Sequence, residues 1–143
     1  MTVNAGLFTS TRADWETPQD LFDKLNGQFG FKLDACATPE TAKCPRYFTP
    51  EDDALSQEWH PYGSVFMNPP YGREIGAWVE KAYREALNGC TVVCLLPART
   101  DTRWFHGYCL QGEIRFLPGR LKFSGYKNSA PFPSMIVIFG GSP

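Results

Sequence analysis

Apolar residues recur along the chain at two different spacings, and the switches between them lay out the elements. Leu21, Phe22, Leu25 and Phe29 follow a helical spacing, which predicts an amphipathic helix. Thr17-Pro18 would open it as N-cap and first-turn proline, and Gly30 would close it. FKLDACA (31–37) predicts a short buried strand ending at an acidic residue, followed by a loop-rich acidic stretch with a short strand at 46–49. GSVFMNPPY (63–71) reads as an apolar strand running into a rigid turn. The clearest period lies at about 73–87. There Ile75, Trp78, Val79, Ala82, Ala86 and Leu87 form one stripe. Arg73, Glu74, Glu80, Lys81, Arg84 and Glu85 take the other face, and Gly89 ends the helix. TVVCLLPA (91–98) is a further buried strand, and Trp104, Phe105, Tyr108 and Cys109 predict a short helix. EIRFL, RLKF and SMIVIF then read as three closing strands, the first two joined as a hairpin around Pro118-Gly119.

Strands alternating with helices predict an α/β domain, its sheet mainly parallel with an antiparallel hairpin at the C-terminal end. At 143 residues the chain is expected to be one domain, with 1–13 flexible and no separate target-recognition domain. A hydrophobic share of 43% is ample for a packed core. No apolar stretch is long enough to span a bilayer, and the N-terminus lacks a secretory signal, so a cytoplasmic protein is expected. Five cysteines without a CxxC pair, two of them (Cys90 and Cys94) in or beside an apolar run, suggest buried thiols rather than disulfides or zinc. His60 and His106 are too isolated to suggest ligands, and no metal is implied.

The net charge of −1 hides an asymmetry. Residues 1–58 carry −5 and residues 99–143 carry +4. A basic C-terminal third suits a polyanion, because neutralised phosphates release counterions. An ordinary solvated surface would look the same, and charge alone does not choose.

Asn68-Pro69-Pro70-Tyr71, at the exit of a predicted strand, carries the chemistry. Ligands of parallel sheets bind beyond the carboxyl ends of strands, so this turn points into the expected site. The Asn68 side-chain oxygen can accept a hydrogen bond from an amine, and the Pro69 carbonyl can be a second acceptor. Consecutive prolines fix φ near −65° and hold those acceptors in place, while Tyr71 offers a flat face to a nucleobase. Two acceptors on one NH₂ draw its hydrogens out of conjugation and free the nitrogen lone pair for in-line attack on an activated methyl group. Positioning supplies much of the rate of such a step.

Seven segments in this order resemble the phage-type Dam family of DNA N6-adenine methyltransferases. They are DWETPQDLF (14–22), FKLDACA (31–37), YFTPEDDAL (47–55), VFMNPPYG (65–72), LLPARTDTRWF (95–105), GRLKF (119–123) and APFPSMIVIF (130–139). The resemblance implies a Rossmann-like methyltransferase fold, S-adenosylmethionine as donor, and adenine in double-stranded DNA as acceptor. It maps Asn68, Pro69, Pro70 and Tyr71 onto the family's catalytic motif. It also implies a cofactor site. Trp15, Thr17 and Pro18 would lie near the methionine part, Asp34 below the amino group, and Cys36 and Ala37 along the wall. Asp53 would meet the adenosine end, with Asp52 a close competitor. The glycine-rich loop common after the first strand of methyltransferases is absent, and Asp34-Ala35-Cys36-Ala37 stands there instead.

Reaching a base in a duplex requires flipping it out, so some groups must hold distorted DNA. The candidates are Arg99, Arg103, Arg115, Arg120, Lys122 and Lys127, with Trp104 and Tyr126 as stacking groups; for Trp104 and Phe105, core packing is the better reading. Alternation puts Arg120 and Lys122 on one face of RLKF, either against DNA or simply solvated. Rival functions are methylation of another planar amine (cytosine N4 or a protein glutamine) and DNA binding without catalysis. A homodimer would enlarge the DNA-contacting surface.

Overall fold

The computed structural model describes residues 15–141; the expected flexibility of 1–13 falls outside them. A five-stranded sheet forms the middle of the fold, with strands in the order β1-β2-β3-β5-β4. These are β1 (Leu33–Asp34), β2 (Ser64–Met67), β3 (Thr91–Pro97), β4 (Glu113–Phe116) and β5 (Ser134–Phe139). The helices are α1 (Gln19–Phe29), α2 (Ile75–Leu87) and the short α3 (Arg103–Gly107). No helix among the described residues is long and apolar enough to cross a membrane.

The sheet is mixed rather than mainly parallel. β1, β2 and β3 run parallel, while β5 lies antiparallel between β3 and β4. Every residue of β5 is buried, because the sheet continues on both of its edges and both of its faces are covered. Gly140 ends the strand with φ 78°, and a Cβ there would stand 2.3 Å from the Cys90 carbonyl oxygen. Only glycine lets the chain leave the sheet so close to its neighbour.

RLKF is not a strand, and no hairpin forms at Pro118-Gly119. The antiparallel pair is instead β4 with β5, joined by the irregular segment 117–133. Its backbone bonds go elsewhere: Ala130 N–H donates to Leu121 O at 2.7 Å, and Ser124 N–H to Glu16 O at 3.0 Å. The burial alternation survives without a ladder, with Phe123 enclosed and Arg120 and Lys122 exposed. The segment at 46–49 is likewise not a strand but a single parallel bridge from Tyr47 to Asp34.

Helix α1 begins one residue later than a Thr17 cap would place it. Pro18 takes the N-cap position, with no side-chain cap bond, and Thr17 turns into the fold. Gly30 closes the helix in the left-handed region, as its position predicts. In α2 the predicted stripe holds through Ala82, but Leu87 is 67% exposed and Glu85 is buried. The Glu85 carboxylate accepts from Trp59 N–H (2.7 Å), His60 N–H (2.8 Å) and Lys81 Nζ (3.0 Å). Burial raises this carboxyl, yet bonds from His60, Trp59 and Lys81 outweigh it and hold it at about 2. This cluster ties the connection 35–63, which contains only single 3-10 turns, to the second helix.

None of the five cysteines forms a disulfide, and Cys44, Cys90, Cys94 and Cys109 are buried. Burial pushes the Cys90 thiol up to about 11 and Cys109 to about 12, so they behave as small hydrophobes.

Candidate active site

An open cavity of about 520 Å³ lies beyond the carboxyl ends of β1 and β2. Strand ends bring Asp34 and Asn68 to it, as expected for a parallel pair. The irregular connection 35–63 folds back to form a second wall with Phe48, Thr49, Asp53 and Leu55. Residues 15–17 and Ser124 close a third.

Asn68 sits at the junction of these walls. Its Nδ2 donates to the Trp15 carbonyl oxygen and, at 2.9 Å, to Thr17 Oγ1. A backbone carbonyl can only accept, so it fixes which end of the amide is nitrogen. The other end, Oδ1, is buried and has no partner. A buried acceptor left unpaired costs about 1–3 kcal/mol, and an arriving N–H group would recover it. That is the acceptor the sequence assigns to Asn68, held by two bonds before any substrate is present. Pro69 and Pro70 lie on the same wall.

Tyr71 departs from expectation. It is 6% exposed, is absent from the cavity wall, and donates its hydroxyl proton to the Leu95 carbonyl at 2.8 Å. Phe123 and Phe132 meet it nearly edge-on, with ring centroids 6.3 and 5.8 Å away. The face expected to meet a nucleobase is thus covered by the 117–133 segment, whose aromatic side chains fill the space. Tyr126 of the same segment stacks on Trp15 at 4.5 Å.

Of the expected cofactor residues, Trp15, Thr17, Asp34, Cys36, Ala37 and Asp53 line the cavity, whereas Pro18 does not. Asp34 is 3% exposed and accepts from the backbone N–H groups of Lys43 (3.0 Å) and Cys36 (3.3 Å). Burial raises its carboxyl to about 6, despite the opposing pull of those two bonds and of the Lys43 charge. A cationic ligand group would restore the carboxylate. Asp52 and Asp53 separate cleanly. Asp52 is turned away into a capping box with Thr49, accepting from its N–H at 2.8 Å and its hydroxyl at 3.1 Å. Asp53 faces the cavity from a left-handed backbone conformation (φ 54°), which aspartate tolerates better than most residues.

Arg99, Arg103, Arg120, Lys122 and Lys127 are all exposed and none lines the cavity. Arg99 lies close enough to Tyr71 to act on it electrostatically. Arg115 is engaged elsewhere, bonded to Glu113 at 2.8 Å and Gln28 at 2.9 Å. Trp104 packs against α2 at Gly76, and Phe105 is buried, which makes both structural.

Sequence reasoning missed Lys43, Phe48, Leu55 and Trp78 in the cavity wall. Trp78 carried a signal of a kind, as the bulkiest member of the α2 stripe. Its indole N–H is buried without a partner. The others lie in a stretch with no hydrophobic period, where no local signal exists.

A mixed α/β sheet with a wide, carboxylate-bearing cavity at its parallel strand ends is consistent with a methyltransferase fold. The chain belongs to the Dam family: the family model described as DNA N-6-adenine-methyltransferase (Dam) matches residues 5–140. It is 34% identical over 92 residues to the DNA N-6-adenine-methyltransferase of Escherichia phage T1, covering 64% of this chain and 38% of that protein. It is 32% identical over 136 residues to the DNA N-6-adenine-methyltransferase of Haemophilus phage HP1, covering 87% of this chain and 77% of that one.

Proposed function

We propose that the protein transfers a methyl group from S-adenosylmethionine to N6 of adenine in double-stranded DNA, on a Rossmann-like methyltransferase fold. The observation that carries this reading is the buried, unpartnered Oδ1 of Asn68 at the edge of the cavity.

The donor set fits the cofactor. The donor brings an ammonium and a sulfonium, and among the described residues the carboxylates of Glu16, Asp34, Asp53 and Glu74 line the cavity. Asp34 would hold the ammonium, Asp53 the ribose hydroxyls, and Trp15, Thr17, Cys36 and Ala37 the intervening wall. When bound, S-adenosylmethionine supplies an electrophilic methyl group.

The chain's own residues prepare the nucleophile. Asn68 Oδ1 and the Pro69 carbonyl accept the two amine hydrogens of adenine, which draws the nitrogen lone pair out of the ring. Thr17 and the Trp15 carbonyl keep the Asn68 amide from rotating. Tyr71 anchors the turn through Leu95. Because Phe123 and Phe132 cover Tyr71, a flipped base enters only when the 117–133 segment yields. Arg120, Lys122 and Lys127 on that segment, with the exposed Arg99 and Arg103, would contact DNA phosphates. A homodimer fits this reading as a way to extend the phosphate-contacting surface.

Incubation with S-adenosylmethionine carrying a labelled methyl, followed by nucleoside analysis of unmethylated DNA, tests the proposal. N6-methyladenine supports it. Label in N4-methylcytosine, or in protein alone, would move the chemistry to another planar amine.

A further inference from the structure

Among the described residues that line the cavity, Lys43 is the only lysine or arginine, and four carboxylates stand there with it. Its side chain is 9% exposed. Lysines are almost never that buried without partners, and Lys43 has two. Nζ bonds Glu16 Oε2 at 3.3 Å and Gln19 Oε1 at 2.9 Å. An ammonium has three hydrogens, so one remains for a ligand. The same residue also reaches Asp34, through its backbone N–H at 3.0 Å. That backbone bond ties residues 34 and 43 together, so a lysine and an aspartate stand on the same part of the cavity wall.

That arrangement matches the two charges of an α-amino acid. Among the described residues of the wall, Glu16, Asp34, Asp53 and Glu74 would repel a carboxylate entering this cavity and Lys43 alone would attract it. We propose that Lys43 binds the α-carboxylate at the amino-acid end of the methyl donor, while Asp34 beside it takes the α-ammonium. This rests on the reading of the cavity as the S-adenosylmethionine site. It assigns Lys43 a part in recognising the donor beyond tying residues 16 and 19 to the wall.

Decarboxylated S-adenosylmethionine keeps the ammonium and sulfonium but lacks the carboxylate, so it separates the two roles. Affinities of both compounds are measured by calorimetry for wild type, Lys43→Met and Lys43→Arg, with thermal melts of each protein. Wild type is expected to bind the intact donor about tenfold more tightly than the decarboxylated one. Lys43→Met should remove that preference, weakening the intact donor about tenfold and the decarboxylated one less than about twofold, and Lys43→Arg should restore much of it. Equal weakening of both compounds would reduce Lys43 to a structural tether and overturn the proposal. Unchanged binding of both would overturn it as well. If wild type binds neither compound, the cofactor reading itself falls and takes this inference with it.

Discussion

Asn68 and Thr17 stand 51 residues apart in the chain, yet the Asn68 amide nitrogen donates to the Thr17 hydroxyl at 2.9 Å. The threonine expected to cap the first helix instead holds the Asn68 amide. Thr17→Val keeps the shape and deletes the acceptor. Turnover is expected to fall about tenfold, the worth of one positioning hydrogen bond, with a smaller change in donor affinity. Thr17→Ser should recover most of it. Equal losses in turnover and donor binding in Thr17→Val would make Thr17 a cavity-wall residue only.

Asp34 gives donor binding a pH dependence. Its carboxyl sits at about 6 in the ligand-free protein because of burial, and an ammonium binds only the ionised form. Affinity for S-adenosylmethionine should therefore be level above about pH 7 and decline as pH drops through 6. Asp34→Asn should bind weakly and lose that inflection. A flat profile in the wild type, measured by calorimetry from pH 5 to 8, would remove Asp34 from the ammonium site.

The buried Glu85 makes a separate claim about stability. Its carboxyl, about 2 when folded against an ordinary 4.5, stabilises the fold above pH 4.5 and loses that contribution as pH falls toward 2. Glu85→Ala strands the N–H groups of Trp59 and His60 and should cost about 3 kcal/mol in urea unfolding at pH 7. A loss below about 1 kcal/mol would mean that water reaches those groups easily.

Arg120 and Lys122 are exposed on the segment that covers Tyr71. If they meet phosphates, Arg120→Gln and Lys122→Gln should each lower the salt slope of DNA binding by about 1, uniformly across sequences. Slopes equal to wild type would return both to the solvated surface.

The turn at the cavity was legible in the sequence because its signal is local: Asn68, Pro69 and Pro70 are consecutive, and the apolar run before them marks a strand end. Helix α2 was legible for the same reason, except where distant partners decided. Glu85 reads as part of the polar face, and besides Lys81 one turn back it takes Trp59 and His60, far back in the chain, to make its burial favourable. RLKF shows strand-like alternation, but its carbonyls at Leu121 and Phe123 accept from Ala130 and Tyr126 instead of a neighbouring strand, which no local pattern announces. Lys43 lies in a connection without any hydrophobic period, so nothing in the sequence directs attention to it. Tyr71 reads in the sequence as an open face, and what covers it here comes from fifty to sixty residues later in the chain.

The most direct test of the account is single-turnover methyl transfer to unmethylated duplex DNA by wild type and Asn68→Ala, with donor affinity measured alongside. The substitution removes the unpartnered Oδ1 and should abolish N6-methyladenine formation, by about a thousandfold or more, while donor affinity stays within a few-fold. Near wild-type transfer by Asn68→Ala would contradict the central claim that this amide oxygen accepts the target amine.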